Sequence, residues 1–303
     1  MSAGKEFFFS SSMLEEILDI RNVQKAFKQV TANKGSGGVD GMQTEELRGY
    51  LNANWQKLRT DILEGSYRPQ PVRKVEIPKP GGGTRMLGIP AVTDRMVQQA
   101  IAQWLSPKYE EEFSKYSYGF RVGRSAHQAV LQAQTNLNEG YEWVVELDLE
   151  KFFDRVNHDK LMGLLSKKIT DKRTLKLVRS YLNSGIMEDG VVTRRTEGTP
   201  QGSPLSPLLS NIVLNELDKE LQARGHRFVR YADDCSIYVR SEKSAQRVLA
   251  TITEYIESKL KLKVNRDKSK VSRPIESTHL GFSFYQKENG WKIHIATKSL
   301  KKK

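Results

Sequence analysis

Phe228-Val229-Arg230-Tyr231-Ala232-Asp233-Asp234-Cys235-Ser236-Ile237-Tyr238-Val239 is the stretch on which the reading of this chain turns. Its flanks have strand character. In the second flank Cys235, Ile237 and Val239 alternate with Ser236, Tyr238 and Arg240, the period of a strand. The spacing predicts a tight hairpin with Asp233 and Asp234 at its tip. Adjacent carboxylates there repel each other, and a hard divalent cation, Mg²⁺ above all, relieves that repulsion. An ordinary polar turn uses Asp too, so the stretch needs corroboration.

Corroboration comes from Trp143-Val144-Val145-Glu146-Leu147-Asp148-Leu149, apolar at nearly every position as in a buried strand. Asp148 near its end is costly there unless it is paired or binds metal. If this strand lies beside the hairpin, three carboxylates converge. That set is enough for two Mg²⁺ ions about 3.5–4 Å apart, the arrangement for in-line phosphoryl or nucleotidyl transfer. The Leu149 carbonyl is a further candidate ligand. Next come Lys151-Phe152-Phe153-Asp154 and a helix expected from Asn157, with Leu161, Leu164 and Leu165 on one face. Phe152 is the expected core residue. Phe153, five past Asp148, is placed to lie under a nucleotide sugar and exclude a 2′-hydroxyl.

Several loops carry polar and cationic chemistry. Gly198-Thr199-Pro200-Gln201-Gly202-Ser203-Pro204-Leu205-Ser206-Pro207 opens a helix with Leu209, Val213, Leu217 and Leu221 on its apolar stripe. Its glycines let backbone N–H groups approach a phosphate or base closely, and Gln201 offers both a donor and an acceptor. Upstream, Val75 and Ile77 alternate with Lys74 and Glu76. Pro78-Lys79-Pro80-Gly81-Gly82-Gly83-Thr84-Arg85 and the run Met86 to Pro90 complete a hairpin whose Lys79 and Arg85 suit a triphosphate. In Tyr118-Gly119-Phe120-Arg121-Val122-Gly123-Arg124-Ser125, aromatic residues interleave with Arg121 and Arg124, as suits nucleic-acid contact. Ser125 and Gln128 form a capping box. After an amphipathic helix through Val248, Ile252, Ile256 and Leu260 comes Lys263-Val264-Asn265-Arg266-Asp267-Lys268-Ser269. Lys268 is a candidate general acid toward a leaving pyrophosphate. His279-Leu280-Gly281-Phe282-Ser283-Phe284-Tyr285 reads as one strand, with Gly281 allowing close backbone approach.

The ordered set runs from Lys79 and Arg85 through Tyr118 to Arg121, Asp148 with Phe152 to Asp154, Thr199 to Pro204, Tyr231 to Asp234, Asn265 to Ser269 and His279 to Phe282. In this order it resembles a reverse transcriptase, specifically the bacterial group II intron-encoded kind that also acts as a maturase. The resemblance covers roughly residues 20–300, and Gly38-Val39-Asp40-Gly41 resembles the N-terminal extension of such proteins. It implies an α+β fold, a right-hand palm with an antiparallel sheet, plus a fingers subdomain. It also implies that Asp148, Asp233 and Asp234 bind metal, with Asp148 and Asp233 the main ligands. Lys79 and Arg85 are implied at the triphosphate, Phe153 at the sugar, Gln201 by the nucleotide and template, and the 279–285 strand at the primer. Arg121, Arg124, Gly202, Leu280 and Gly281 are the expected template and primer contacts.

The expected organisation is a disordered or vector-derived 1–12, a helical extension over 13–65, and fingers over 66–140 including the 72–90 hairpin. The palm is expected over 141–303, with part of the fingers inserted at about 155–200. Helices are expected at 13–31, 44–64, 94–105, 125–138, 157–168 and 171–183. The chain ends at Lys303, where the resemblance would place the start of a helical thumb, so a thumbless fragment is expected, with no Cys/His cluster for DNA cleavage.

Composition fits a nucleic-acid partner. The 303 residues carry a formal net charge of +13, and residues 259–303 hold 13 Lys/Arg against 3 Asp/Glu, a net of +10. Such a bias suits a long polyanion, with binding that weakens steeply with salt. The single Cys235 excludes a disulfide framework and fits a reducing cytoplasm. No stretch is long and apolar enough to span a membrane. The expected function is RNA-directed DNA synthesis with two Mg²⁺ ions, acting on dNTP, RNA template and DNA primer, and binding intron RNA to assist splicing. The alternatives are an RNA-binding splicing scaffold and another bacterial reverse transcriptase of retron or diversity-generating type. A homodimer through surface that a thumb would cover is a further expectation.

Overall fold

The computed structural model describes residues 12–78 and 83–296. The chain opens with α1 (Met13–Ile17), α2 (Ile20–Ala32), α3 (Leu47–Leu63), β1 (Val72–Pro78), β2 (Thr84–Ile89) and α4 (Val92–Glu110). Then come α5 (Ala126–Asn138), β3 (Trp143–Leu147), α6 (Phe152–Arg155), α7 (His158–Ser166), α8 (Lys172–Asn183), β4 (Ile186–Glu188) and β5 (Val191–Thr193). The last part holds α9 (Ser206–Ala223), β6 (Arg227–Tyr231), β7 (Asp234–Val239), α10 (Glu242–Tyr255), β8 (Lys270–Ser272), β9 (Thr278–His279), β10 (Phe282–Lys287) and β11 (Gly290–Ile295). Two compact units result. One joins residues up to Glu111 with Val156–Leu209; the other joins Glu112–Arg155 with residues from Ser210 onward.

In the first unit a sheet of order β2-β1-β4-β5 carries the expected β1–β2 hairpin, in register from Arg73↔Ile89 to Pro78↔Thr84. β4 lies parallel to β1, and β4 and β5 form a hairpin closed by Asp189-Gly190, both at positive φ. The single helix expected over 13–31 is two. The Asp19 carboxylate accepts the Arg21 N–H at 3.0 Å and caps α2, which breaks the run. The short α1 is anchored instead by Asp171, whose carboxylate accepts the Leu14 N–H at 3.1 Å while capping α8 through Arg173 N–H at 2.9 Å.

In the second unit an antiparallel sheet of order β6-β7-β3-β8 carries the acidic hairpin. Alternation like that of β7 usually marks a half-exposed strand, yet Cys235 to Val239 are all buried. The strand is central: α10 packs on β3, β7 and β8. Tyr238, Val144 and Val229 join a core with Ala129, Val130, Ala133 and Leu137 of α5 and with Phe284 and Trp291 of β10 and β11. That core also corrects a boundary. Residues 112–140, expected with the fingers, pack in this second unit because the apolar stripe of α5 is buried against β6 and β11. The single strand expected over 279–285 is likewise two, β9 and β10, because Leu280 and Gly281 turn the chain at φ 53° and 85°. Positive φ at two successive positions makes a tight hairpin turn, which is what Gly281 is used for.

Candidate active site

Asp148 follows the last residue of β3, and its backbone is clamped from β8's side. Ser269 Oγ accepts the Asp148 N–H at 3.0 Å and donates to the Asp148 carbonyl at 3.3 Å, and Asn265 N–H donates to that carbonyl at 2.8 Å. Glu150 N–H donates to Lys263 O at 2.8 Å, and none of these bonds uses the Leu149 carbonyl. β3 and β7 pair with Leu147 opposite Cys235, so the next step of the register brings Asp148 opposite Asp234. Asp234 in turn pairs with Tyr231 across the turn of Ala232 and Asp233. The acidic pair thus sits where the alternating pattern places it.

Side chains two apart on a strand share a face, and these face a cavity of about 260 Å³. Glu146 of β3 and Asp148 just past its end line it, as do Asp234 and Ser236 of β7, with Lys268 and His279 beside them. Lys268 Nζ stands 3.9 Å from Asp148 Oδ2. Asp234 opens onto the cavity yet is crowded by protein. Desolvation, then the charges of Asp233 and Asp148, push its carboxyl up to about 6, with Lys268 opposing. His279 Nδ1 lies 3.2 Å from Ser236 Oγ, and burial pushes its imidazole down to about 4, so it is neutral near pH 7.

Among the described residues no three carboxylate, imidazole or thiolate groups stand close enough to hold one metal ion by themselves. The cavity wall instead offers Asp148 and Asp234, with Asp233 adjoining at the turn. This donor set still fits Mg²⁺, which keeps several waters and takes one or two carboxylates plus substrate phosphates. The mutual repulsion felt by Asp234 marks a place short of positive charge.

Phe152 is buried at 2% exposure, and Phe153 is half-buried with its ring 5.2 Å from that of Phe152 and 6.4 Å from that of Phe120. Ser125 and Gln128 form the expected capping box at α5. Arg121 departs from expectation. It is buried, and its Nη1 donates to the Ser114 and Ser117 carbonyls at 2.6 Å each, so its charge braces the loop rather than facing a polyanion. Arg124 is half-buried, donates to Lys115 O at 3.1 Å and lies 5.5 Å over the Tyr118 ring. Gly119 is a position sequence reasoning missed. A Cβ there would stand 2.2 Å from Ala232 N, so only glycine lets this loop back the acidic turn. Ser269 and His279 were also without an assigned role; a serine after Lys268 and a histidine at the strand's start carried the only signals.

In the first unit, Gln201 is half-buried and its carbonyl accepts the Gly88 N–H at 2.8 Å. Gly202, at φ 101°, is exposed. The loop's entry is clamped by His158, whose Nε2–H donates to Gly198 O at 2.7 Å, and by Gly198 N–H on Val156 O at 2.7 Å. Ser203 Oγ donates to Gln98 Oε1, and Ser206 Oγ donates back to Pro200 O at 2.8 Å. Arg85 is exposed on β2 opposite Ile77. Lys79 lies outside the described residues, as does the expected disordered stretch up to residue 11. Among the described residues no helix is long and apolar enough to cross a membrane.

The chain is similar to several known proteins. Protein YkfC of Escherichia coli strain K12 is 36% identical over 272 residues, covering 77% of this chain and 71% of YkfC. The group II intron-encoded protein LtrA of Lactococcus lactis subsp. cremoris is 37% identical over 195 residues, covering 64% of this chain but 32% of LtrA. This chain therefore spans most of the first relative and about a third of the second. Among solved structures, a chain of a partial Cas6-RT-Cas1–Cas2 complex superposes with a TM-score of 0.51 at 25% identity, covering 80% of this chain and 42% of that one. The family model described as reverse transcriptase (RNA-dependent DNA polymerase) matches residues 77–284. A palm-like antiparallel sheet with its acids at adjoining strand ends, in a chain matched over those residues, belongs to the reverse transcriptase family.

Proposed function

We propose that this chain copies RNA into DNA by extending a primer, in the manner of group II intron-encoded reverse transcriptases. The observation that carries the reading is that Asp148, just past the end of β3, and Asp234, at the start of β7, face one cavity with Lys268. The primer's 3′-hydroxyl gives up its proton to solvent as its oxygen attacks the α-phosphorus of a dNTP. An O–P bond forms, the bond to the β-phosphate oxygen breaks, and pyrophosphate leaves. Mg²⁺, when bound, lowers the pKa of the attacking hydroxyl and offsets charge on the leaving group. Asp148, Asp233 and Asp234, with the Leu149 carbonyl, are the residues that would hold it. Lys268 Nζ is assigned the proton given to pyrophosphate. Arg85, with Lys79, is assigned to the triphosphate, Phe153 to the sugar and Gln201 to the base and template. Arg124, Gly202, Leu280 and Gly281 are assigned to template and primer, and Arg121 is reassigned to bracing its loop. The basic stretch from residue 259 supports binding of intron RNA.

The test is primer extension on an RNA template with dNTPs and Mg²⁺, comparing the chain with its Asp233→Ala/Asp234→Ala variant. DNA product from the first and none from the second is expected. Equal extension by both would remove the acidic pair from the chemistry. Absence of product from both, with RNA still retained at low salt and lost at high salt, would favour the RNA-binding scaffold.

A further inference from the structure

Arg230 is among the largest fully buried side chains of the described residues, at 0% exposure, and its partner Asp218 is also 0% exposed. Its guanidinium is held on three sides. Nε and Nη2 donate to the two Asp218 oxygens at 2.7 and 2.6 Å, and Nη1 donates to Asn211 Oδ1 at 3.0 Å and to the Ala232 carbonyl at 2.8 Å. Asn211 and Asp218 lie seven residues apart on α9, hence on one helix face. The Asn211 amide passes the connection on to the Gly119 carbonyl at 2.9 Å. Gly119 is the residue that backs Ala232 N.

A buried ion pair is a poor stabiliser, because desolvating both charges offsets much of their attraction. Its presence here calls for another reason. The carbonyl that Arg230 holds belongs to the peptide joining Ala232 to Asp233. Ala232 adopts φ 56°, a left-handed conformation that is strained for a residue with a Cβ. A charged donor on that carbonyl fixes the peptide plane from which Asp233 and Asp234 depart. We infer that Arg230 is a positioning residue for the acidic turn, with Asp218 as its buried counter-ion and Asn211 as the link to the Gly119 loop. The inference rests on the reading of Asp233 and Asp234 as metal-holding acids.

The test is Mn²⁺ binding to the full chain, followed by electron paramagnetic resonance, with single-nucleotide incorporation as a second readout. Lysine keeps the charge but not the planar fork, so it cannot hold Asp218 bidentately and the Ala232 carbonyl together. Arg230→Lys, checked for folding by circular dichroism, is expected to weaken Mn²⁺ binding at least fivefold. It is also expected to lower kcat at least tenfold, with KM for dNTP within twofold of wild type. A purely structural role would lower the folded fraction and leave Mn²⁺ affinity per folded molecule unchanged, which would overturn the inference. If Arg230→Lys does not fold, Asn211→Ser keeps the ion pair and removes one guanidinium partner. The same direction at two- to threefold is expected from it, and unchanged Mn²⁺ affinity would again refute. Asp233→Ala separates the two ideas. Wild-type Mn²⁺ binding by Asp233→Ala would refute the metal reading itself. Lost binding there beside unchanged binding in folded Arg230→Lys would refute only the positioning role.

Discussion

Gly119→Ala should damage catalysis more than stability. The added Cβ would stand 2.2 Å from Ala232 N, 2.9 Å from Tyr231 C and 3.0 Å from Ala232 Cα, all backbone atoms. Ordinary contact begins near 3.4 Å, so the turn must recede by about 1 Å. It cannot do so freely, because Tyr118 N–H donates to Arg230 O at 2.8 Å and the Asn211 amide holds Gly119 O at 2.9 Å. Overpacking of this kind costs about 1–3 kcal/mol. A displacement of about 1 Å in a catalytic group costs about 100-fold in rate. Gly225→Ala provides the comparison. Gly225 ends α9 at φ 73° with nothing within 4 Å of its Cβ, so alanine there costs about 1–2 kcal/mol of backbone strain and pushes on nothing. Thermal unfolding and single-nucleotide incorporation should therefore show similar losses of Tm in both variants and a large fall in kcat only in Gly119→Ala. Wild-type kcat in Gly119→Ala, or an equal fall in both variants, would refute the argument that this glycine backs the acidic turn.

Two further outcomes concern groups of the first unit. Gly163 lies inside α7 with nothing within 4 Å of an added Cβ, so Gly163→Ala should raise stability by about 0.5–1 kcal/mol, read as a higher midpoint in urea. Asp94 is buried, accepting from Tyr67 Oη at 2.5 Å and Gln70 N–H at 3.0 Å, and desolvation nonetheless pushes its carboxyl up to about 6 from 3.8. A raised carboxyl binds its proton more tightly in the folded state, so its contribution is fully present below pH 3.8 and is lost as pH rises through about 6. The shift corresponds to at most about 3 kcal/mol. Unfolding free energies measured from pH 4 to 7 should thus fall for the wild type relative to Asp94→Asn, and parallel curves would count against a protonated Asp94.

What the sequence disclosed depended on length and period. The acidic hairpin was legible from the alternation of its second flank and the Asp pair at its tip, and β3 from an unbroken apolar run of five residues or more. β4, β5 and β8 were not, since each spans three residues, too few for a period to show. Leu280-Gly281 hid inside an apolar run that reads as continuous strand, and only its backbone angles reveal the turn. Arg121 misled for a different reason. An arginine among aromatics suits a nucleic-acid surface, but its targets are carbonyls four and seven residues upstream, which carry no side-chain signature.

The same limit explains why the site's chemistry was easier to read than its support. The acids proposed as ligands are particular residue types at strand ends, so they announce themselves. The groups that hold them use backbone atoms and space: Ser269 on the Asp148 peptide, Gly119 behind Ala232, Arg230 on the Ala232 carbonyl. Arg230 in a strand otherwise apolar at Phe228 and Val229, and Asp218 among the apolar positions of α9, each look like surface charges when taken singly. Only the fold, which turns the chain back between α9 and β6, places them together at 0% exposure. A buried charge pair costs desolvation, so its value here lies in the orientation it gives the Ala232 carbonyl, which is the role inferred for Arg230 at the acidic turn.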